Sequence, residues 1–304
     1  MSPQSGRWLG LDIGGTTVKA GVVEPDGSWE RSPEVLPTEL EEGPGPFLDS
    51  LAEFARGFGA VDGIGIGCPG VFDPASGALR ASANLQPLVG SILGPELEQR
   101  LGLPRGSVRV GNDANLAAYG EQWKGAGVGL DDLCLVTLGT GIGGGLILDG
   151  RLYGGTHGMA CEIGHLVVVP REQGGLPCGC GSAGCLETFA SATHARRRAR
   201  EAGLTDDLEE LCARGRAAEG PERALLHAIG RDLGRGLSYV VSLLDVTDFI
   251  VGGGFSGALD LLLPGIMETM ESRRYGTPEP RVVRAALGED AGWIGAARLA
   301  GDPA

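Results

Sequence analysis

Lysine is nearly missing from this chain: Lys19 and Lys124 are the only two among 304 residues, and the formal net charge is -14. A surface so poor in cations is a weak counterion-displacing partner for phosphodiester chains, which argues against broad nucleic-acid binding. The one basic cluster, "RRRAR" at Arg196 to Arg200, reads as a solvated helix face, with a docking role as the alternative. Neither lysine stands in a G-K-[ST] sequence, so a Walker phosphate loop is excluded. No apolar run nears the ~20 residues needed to span a bilayer. The first residues also lack the charged start, apolar stretch and cleavage site of a secretory leader. The expected compartment is the cytoplasm, where thiols stay reduced. An odd total of seven cysteines also speaks against a disulfide framework. Aromatics are scarce as well, at 5%.

What the chain does have is glycine, 55 of them. They punctuate apolar runs, as in "GLDIGGTTVKAGVV" and "LVTLGTGIGGGLIL", which favours tight turns over low complexity. The balance of 42% hydrophobic and 21% charged residues is that of an ordinary globular protein, and the length suggests two domains.

Alternating elements predict an α/β fold. "RWLGLDIGGTTVKAGVV" reads as strand, glycine turn, strand, and "GPFLDSLAEFARGFG" as a helix. "VDGIGIGCPGVFD" and "SVRVGND" read as buried strands around a short helix, "GPELEQRLG". "ANLAAYGEQWKGAG" follows with helical spacing, putting Leu116, Tyr119 and Trp123 on one side. "DLCLVTLGTGIGGGLILDGRLYGG" repeats the strand, glycine turn, strand device about 125 residues after the first. The stretch from Ala192 to about Leu244 is largely helical, "DFIVGGG" is one more strand, and "DAGWIGAARLA" closes as a helix. Two domains of similar plan follow, each offering a glycine loop to a shared cleft. The boundary is placed near Gly111: residues 1–111 form a small α/β domain to which the closing helix, about 291–304, could return, and 112–290 form a larger one.

"GTGIGG", Gly139 to Gly144, satisfies a dinucleotide pattern, but a strand and not a helix follows it, so the Rossmann reading fails. Two readings remain for the paired loops. They are plain hairpins with glycines at positive φ, or cradles whose N–H groups and threonine hydroxyls surround phosphates. Two such loops with threonines favour the second, and Asp12 suits an outer-sphere role toward magnesium.

"LDIGGTTVKAG", "GCPGVFD", "NDANLAAYGE", "LGTGIGGGLI", "EIGH" and "CGCGSAGCLE" together resemble the ROK family of sugar kinases and repressors. Their order and spacing are similar to those of its bacterial ATP-dependent glucokinases, from Leu9 to the closing "LGEDAGWIGAARLA". The resemblance implies an actin-like ATPase (ribonuclease H-like) fold, with two α/β domains around a hinged cleft. It also implies glucose and ATP as substrates and a dimeric or tetrameric homo-oligomer. The implied reaction is phosphorylation of a hexose at its 6-hydroxyl, glucose first, with N-acetylmannosamine, N-acetylglucosamine, fructose or allose as alternatives. A sugar-sensing regulator without turnover is the different-class alternative. The few residues ahead of the first loop argue against the family's DNA-binding module. Polyphosphate as donor stays open.

Cys178, Cys180 and Cys185 with His165 offer three thiolates and an imidazole, a complete tetrahedral set for zinc with no open position. The resemblance implies the same structural site. Free thiols in a glycine-rich loop are the bland alternative. Cys68, Cys134, Cys161 and Cys212 read as isolated small hydrophobes. The metal would anchor Glu162, three residues before His165, and Glu187, two residues after Cys185.

By resemblance, Asn84, Asn112, Asp113, Glu162, His165 and Glu187 contact the sugar, and Asp113 is the base toward its hydroxyl. Read alone, Asp113 is equally a helix N-cap, a role that would lower its basicity. Likewise Asn84 alone is a turn residue and Glu187 a surface charge. Gly14, Gly15, Thr16, Thr140 and Gly141 are the expected phosphate contacts. Gly252 and Gly253 are expected beside the adenosine, or else form a strand-end turn.

Overall fold

The computed structural model describes residues 6–29 and 33–302; the outermost residues of the expected domain spans, 1–5 and 303–304, lie outside the described residues. In chain order the strands are β1 (Trp8–Ile13), β2 (Thr17–Val23), β3 (Glu34–Pro37), β4 (Gly63–Cys68), β5 (Val71–Phe72), β6 (Leu79–Ala81), β7 (Val108–Asn112), β8 (Leu133–Leu138), β9 (Ile142–Leu148), β10 (Arg151–Leu152), β11 (Asp248–Gly252) and β12 (Arg281–Arg284). The α-helices are α1 (Pro44–Gly57), α2 (Leu93–Leu101), α3 (Asp113–Lys124), α4 (Glu187–Ala190), α5 (Ala192–Glu201), α6 (Leu208–Ala217), α7 (Pro221–Leu244), α8 (Leu259–Arg273) and α9 (Ala291–Ala300).

Two compact units emerge. The first holds residues up to 130, 151–160 and from 287 onward; the second holds 131–150 and 161–286. The cut expected near Gly111 therefore falls inside the first unit. The reason is packing between α3 and α9. A Cβ on Gly120 would lie 2.3 Å from the Ala291 carbonyl oxygen, and one on Gly295 only 1.7 Å from that of Leu116. This close packing keeps α3 and α9 in one unit.

In the first unit the sheet order is β3-β2-β1-β4-β7. β1 and β2 form an antiparallel hairpin, while β1, β4 and β7 run parallel. Leu9, Leu11 and Ile13 alternate onto one fully buried face with Phe47, Leu48 and Leu51 of α1. The other face is made of glycine. Gly10 and Gly65 are paired in register, and a Cβ on either would fall 1.8 Å from a carbonyl oxygen of α9, Trp293 or Ala296 respectively. Part of the glycine excess is thus room for a helix on a sheet, beside the turns that composition suggested.

A backbone oxygen cannot step aside as a side chain can, so Gly10→Ala must lift α9 off β1. Such overpacking costs about 3 kcal/mol. A lower urea midpoint with α9 still formed is the expected result; an unchanged midpoint would mean α9 does not rest on Gly10.

The second unit repeats the plan. β9-β8-β11-β12 are neighbours in one sheet, with β8 and β9 antiparallel and β8, β11 and β12 parallel. Val136 and Leu138 of β8, Phe249 and Val251 of β11, and Leu233, Leu237 and Leu262 of α7 and α8 share one buried core. α8 and β12 received no assignment from sequence, and Pro264 inside α8 masks its helical signal. No helix among the described residues is long and apolar enough to cross a membrane.

Candidate active site

In the first unit the site lies at the carboxyl ends of the parallel strands, the usual ligand edge of such sheets. Asp12, near the end of β1, stands level with Gly67 and Gly111 on the neighbouring strands. A Cβ on Gly67 would come 3.3 Å from Asp12 Oδ1, and one on Gly292 of α9 would come 2.3 Å from Oδ2. Small residues therefore make the space this carboxylate occupies.

Asp113 opens α3. Its helix is capped not by Asp113 but by Asn112, whose side chain accepts from the Asn115 N–H at 3.1 Å and donates to the Gly70 carbonyl at 3.1 Å. The N-cap reading of Asp113 is corrected accordingly: the preceding residue takes that job, leaving the Asp113 carboxylate for another. Burial pushes the Asp113 carboxyl above the usual aspartate range, although backbone N–H groups of Ala114 and of Asp113 itself oppose the shift. Asp12 is pushed up to about 7, by burial first and then by the charge of Asp113, against Lys19. Burial and the same two carboxylates push the Cys68 thiol up too.

The first glycine loop is tied down from within. The Gly14 N–H donates to the Thr17 carbonyl at 2.8 Å. The Thr38 hydroxyl donates to Gly14 at 2.9 Å and its N–H to Thr16 at 2.9 Å. Gly15 and Thr16 are exposed, and a Cβ on Gly15 would sit 3.6 Å from that of Asn84, which puts Asn84 beside the loop. Gly14, Gly15, Gly139 and Gly141 are absent from the described residues with positive φ. The plain-hairpin reading with glycines at positive φ does not describe either loop.

Two half-buried acids, with Lys19 opposing the shift of Asp12, make a place that a divalent cation would stabilise, so the donor set fits magnesium. Without a cation the sign of the pH dependence is set. Asp12's folded value lies above its unfolded one, so the neutral acid's contribution to stability is full near pH 4 and is lost as pH rises through about 7. The slope is up to about 1.4 kcal/mol per pH unit. Asp12→Asn is expected to flatten the fall in urea midpoint between pH 5 and 8, and an equally steep fall in that variant would disprove the assignment.

In the second unit the loop between β8 and β9 closes with the Gly139 N–H on the Gly141 carbonyl at 3.0 Å. The start of α5 braces it: the Ala192 N–H donates to Gly139 at 2.9 Å and the Thr193 hydroxyl to Thr140 at 2.7 Å. Thr140 itself is exposed. Glu187 is no surface charge. Its Oε2 accepts from the Ile142 N–H at 3.0 Å, its Oε1 lies 3.9 Å from Cys178 Sγ, and a Cβ on Gly141 would be 2.2 Å from Oε2. One carboxylate thus joins the cysteine-rich loop to the glycine loop.

That cysteine-rich loop gathers its donors. The ligand atoms of His165, Cys178, Cys180 and Cys185 all lie within 4.8 Å of one another. Cys178 Sγ is 3.7 Å from His165 Nδ1, and Cys180 Sγ is 3.6 Å from Cys185 Sγ. A tetrahedron with zinc–sulfur bonds of about 2.3 Å has edges of about 3.8 Å, so distances and donor chemistry both fit that metal. Glu162 is exposed, just before a 3-10 turn at Ile163–His165.

A cavity of about 520 Å³ opens beside the second loop, lined among others by Gly139, Thr140, Arg196, Glu209, Gly254 and Phe255. Gly252 and Gly253 do not line it. Gly253 is left-handed at φ 81°, with its Cα against the Leu138 carbonyl, a strand-end turn that delivers Gly254 to the cavity. Of the expected sugar contacts, Asn84, Asn112 and Asp113 belong to the first unit and Glu162, His165 and Glu187 to the second. Sequence reasoning missed Thr38, Thr193, Gly292 and the cavity wall of α5 and α6. Only Ser191, which caps α5 by accepting from the His194 N–H, leaves a local signal, a helix start directed at the second loop. Cys134 and Cys161, read as isolated, are not: their sulfurs are 3.6 Å apart.

Comparisons with known proteins show the family. The sequence model of the ROK family matches residues 8–302. A glucokinase of Halalkalibacterium halodurans is 35% identical over 96% of this chain and 94% of its own. Among solved structures, a ROK hexokinase from Thermus thermophilus superposes with a TM-score of 0.83 at 34% identity, covering 96% of each chain. A ROK glucokinase from Streptomyces griseus, in complex with glucose and AMPPNP, has a TM-score of 0.77 at 35% identity, covering 96% of this chain and 98% of its own.

Proposed function

The chain belongs to the ROK family, with that family's actin-like ATPase fold, and we propose that it transfers the γ-phosphoryl group of ATP to the 6-hydroxyl of glucose. The observation that carries this reading is Asp113: a half-buried carboxylate, relieved of capping by Asn112 and raised in basicity by its surroundings. A base for a hydroxyl proton needs that combination. The apparent conflict between a helix N-terminus and a base is resolved because burial outweighs the helix.

In the proposed reaction Asp113 accepts the proton of the 6-hydroxyl as that oxygen attacks the γ-phosphorus. The new O–P bond forms in line with the breaking bond to the β-phosphate oxygen, and ADP leaves. Asn84, Asn112, Glu162, His165 and Glu187 hold the sugar's other hydroxyls, with donors and acceptors that suit groups able to do both. Backbone N–H groups of Gly15 and Gly141 and the hydroxyls of Thr16 and Thr140 orient the phosphates, while Gly14, its N–H held by the Thr17 carbonyl, shapes the first loop. The cavity beside Thr140 has the size of a nucleoside site, and the turn at Gly252 and Gly253 delivers Gly254 to its wall. Magnesium, when bound near Asp12, supplies charge neutralisation at the phosphates. His165, Cys178, Cys180 and Cys185 would hold zinc, which supplies rigidity to the loop and leaves no position for a substrate.

A panel of sugars in a coupled ADP assay tests the reading. Glucose is expected to exceed N-acetylglucosamine, N-acetylmannosamine, fructose and allose by at least about tenfold in kcat/KM. Polyphosphate is expected not to displace ATP as donor. ATP consumption that ignores sugar altogether would overturn the kinase assignment.

A further inference from the structure

Outside the metal cluster, Cys134 and Cys161 face each other, Sγ to Sγ at 3.6 Å. Cys134 is wholly buried on β8, four residues before Leu138 and the glycine loop. Cys161 is half-buried and held at φ 63°, a left-handed backbone that non-glycine residues avoid and that persists only where the surroundings impose it. Those surroundings are visible. The Cys161 carbonyl accepts from the Ile163 N–H at 2.7 Å. A Cβ on Gly144 of β9 would lie 2.8 Å from the Cys161 sulfur, so glycine there leaves the space in which the thiol meets Cys134.

We propose that Cys134 and Cys161 are a redox modification site that closes to a disulfide when the protein meets hydrogen peroxide. Cys161, the half-exposed member, reacts first. Its thiolate attacks one peroxide oxygen, the O–O bond breaks, and the sulfur becomes a sulfenic acid while the other oxygen leaves as water after protonation. The Cys134 sulfur then displaces the sulfenic hydroxyl, forming the S–S bond, and a second water carries away the Cys134 proton. Two thiols are oxidised and one peroxide is reduced to two waters. The Cys161 contact first, and burial second, push the Cys134 thiol well above its ordinary range. That fits the partner that waits and not the one that attacks. In a reducing compartment such bonds are transient and sensory, not structural.

A disulfide of about 2.05 Å draws the two sulfurs together by about 1.5 Å. The pull falls on the residue directly before Glu162, at the root of the turn that carries His165. The oxidised protein is therefore expected to bind sugar less well. That consequence rests on the proposed reading of Glu162 as a sugar contact; the disulfide itself does not.

The test titrates hydrogen peroxide into the full-length protein as purified, with its metal content recorded. Non-reducing peptide mapping by mass spectrometry, release of metal to a chromogenic dye and glucose kinetics are followed together. A crosslinked Cys134–Cys161 peptide is expected before any metal is released, with KM for glucose raised at least fivefold and restored by dithiothreitol. Cys161→Ala and Cys134→Ala, made separately, should each keep the resting KM and lose the response; Cys161→Ala leaves the core intact should the buried variant not fold. The proposal is overturned if Cys134 and Cys161 stay free thiols while other cysteines oxidise, or if Cys161→Ala responds like the parent. A crosslink without any change in KM would uphold the modification site and remove Glu162 from the sugar contacts.

Discussion

Asp113→Asn should lower kcat by about a thousandfold, within the range general bases contribute, while glucose affinity changes only a few-fold. Asparagine keeps the shape and can still hydrogen-bond a sugar hydroxyl, but it takes no proton. Because α3 is capped by Asn112, through its bond to the Asn115 N–H, the substitution leaves the helix start in place and the fold's stability close to the parent. A second readout separates a base from a mere sugar contact. Turnover by the parent should fall on the acid side with a midpoint above the usual aspartate range, since burial raises the Asp113 carboxyl. Asp12, pushed up to about 7 by burial and by the charge of Asp113, adds a second acid to the profile. Magnesium should move the limb to lower pH by favouring both charges. If Asp113→Asn turned over at near-parental rate, the base would have to be sought elsewhere and the mechanism would fail.

The two hairpins were legible because each pairs apolar runs of strand length around a glycine break, a signal contained within 17 residues. The helices α1, α3, α5, α7 and α9 were legible for a similar reason, as runs with helical spacing. What sequence could not reveal is long-range. α3 belongs to the first unit because Gly120 and Gly295 let it meet α9 across more than 170 positions, and no local pattern announces that pairing. The same holds for Glu187. Two residues from Cys185, it reads as a loop charge until the fold brings it 45 residues back to the Ile142 N–H. The clustered donors Cys178, Cys180 and Cys185 were legible from spacing, because soft donors so crowded are rare. Cys134 and Cys161 lacked that crowding; only the fold brings them together, by laying the loop at Cys161 against Gly144 of β9, the strand paired with β8.

Removing the metal is expected to raise KM for glucose at least about a hundredfold, by chelation or by Cys180→Ser. Cys180 is the exposed one of the three cysteine donors and Cys185 the buried one. Substituting Cys180 therefore leaves no core cavity, and any large effect must come through the lost ligand. Structural zinc contributes roughly 10 kcal/mol or more to small domains that cannot fold without it. Here the loop has other ties, including the Leu186 N–H on Leu166 at 2.8 Å and the Val168 N–H on Gly184 at 2.9 Å, so the unit as a whole should stay folded. What is lost is local. Without a cation the clustered sulfurs cannot all be thiolates, His165 Nδ1 loses its partner, and Cys178 is free to drift from Glu187. Glu187 also receives the Ile142 N–H, so KM for ATP should rise too, by a smaller factor. Returning zinc should restore the chelated parent but not Cys180→Ser. Should Cys180→Ser retain full metal content and parental kinetics, the cluster would be a coincidence of four side chains, and the rigidity credited to it would have to come from the backbone bonds alone.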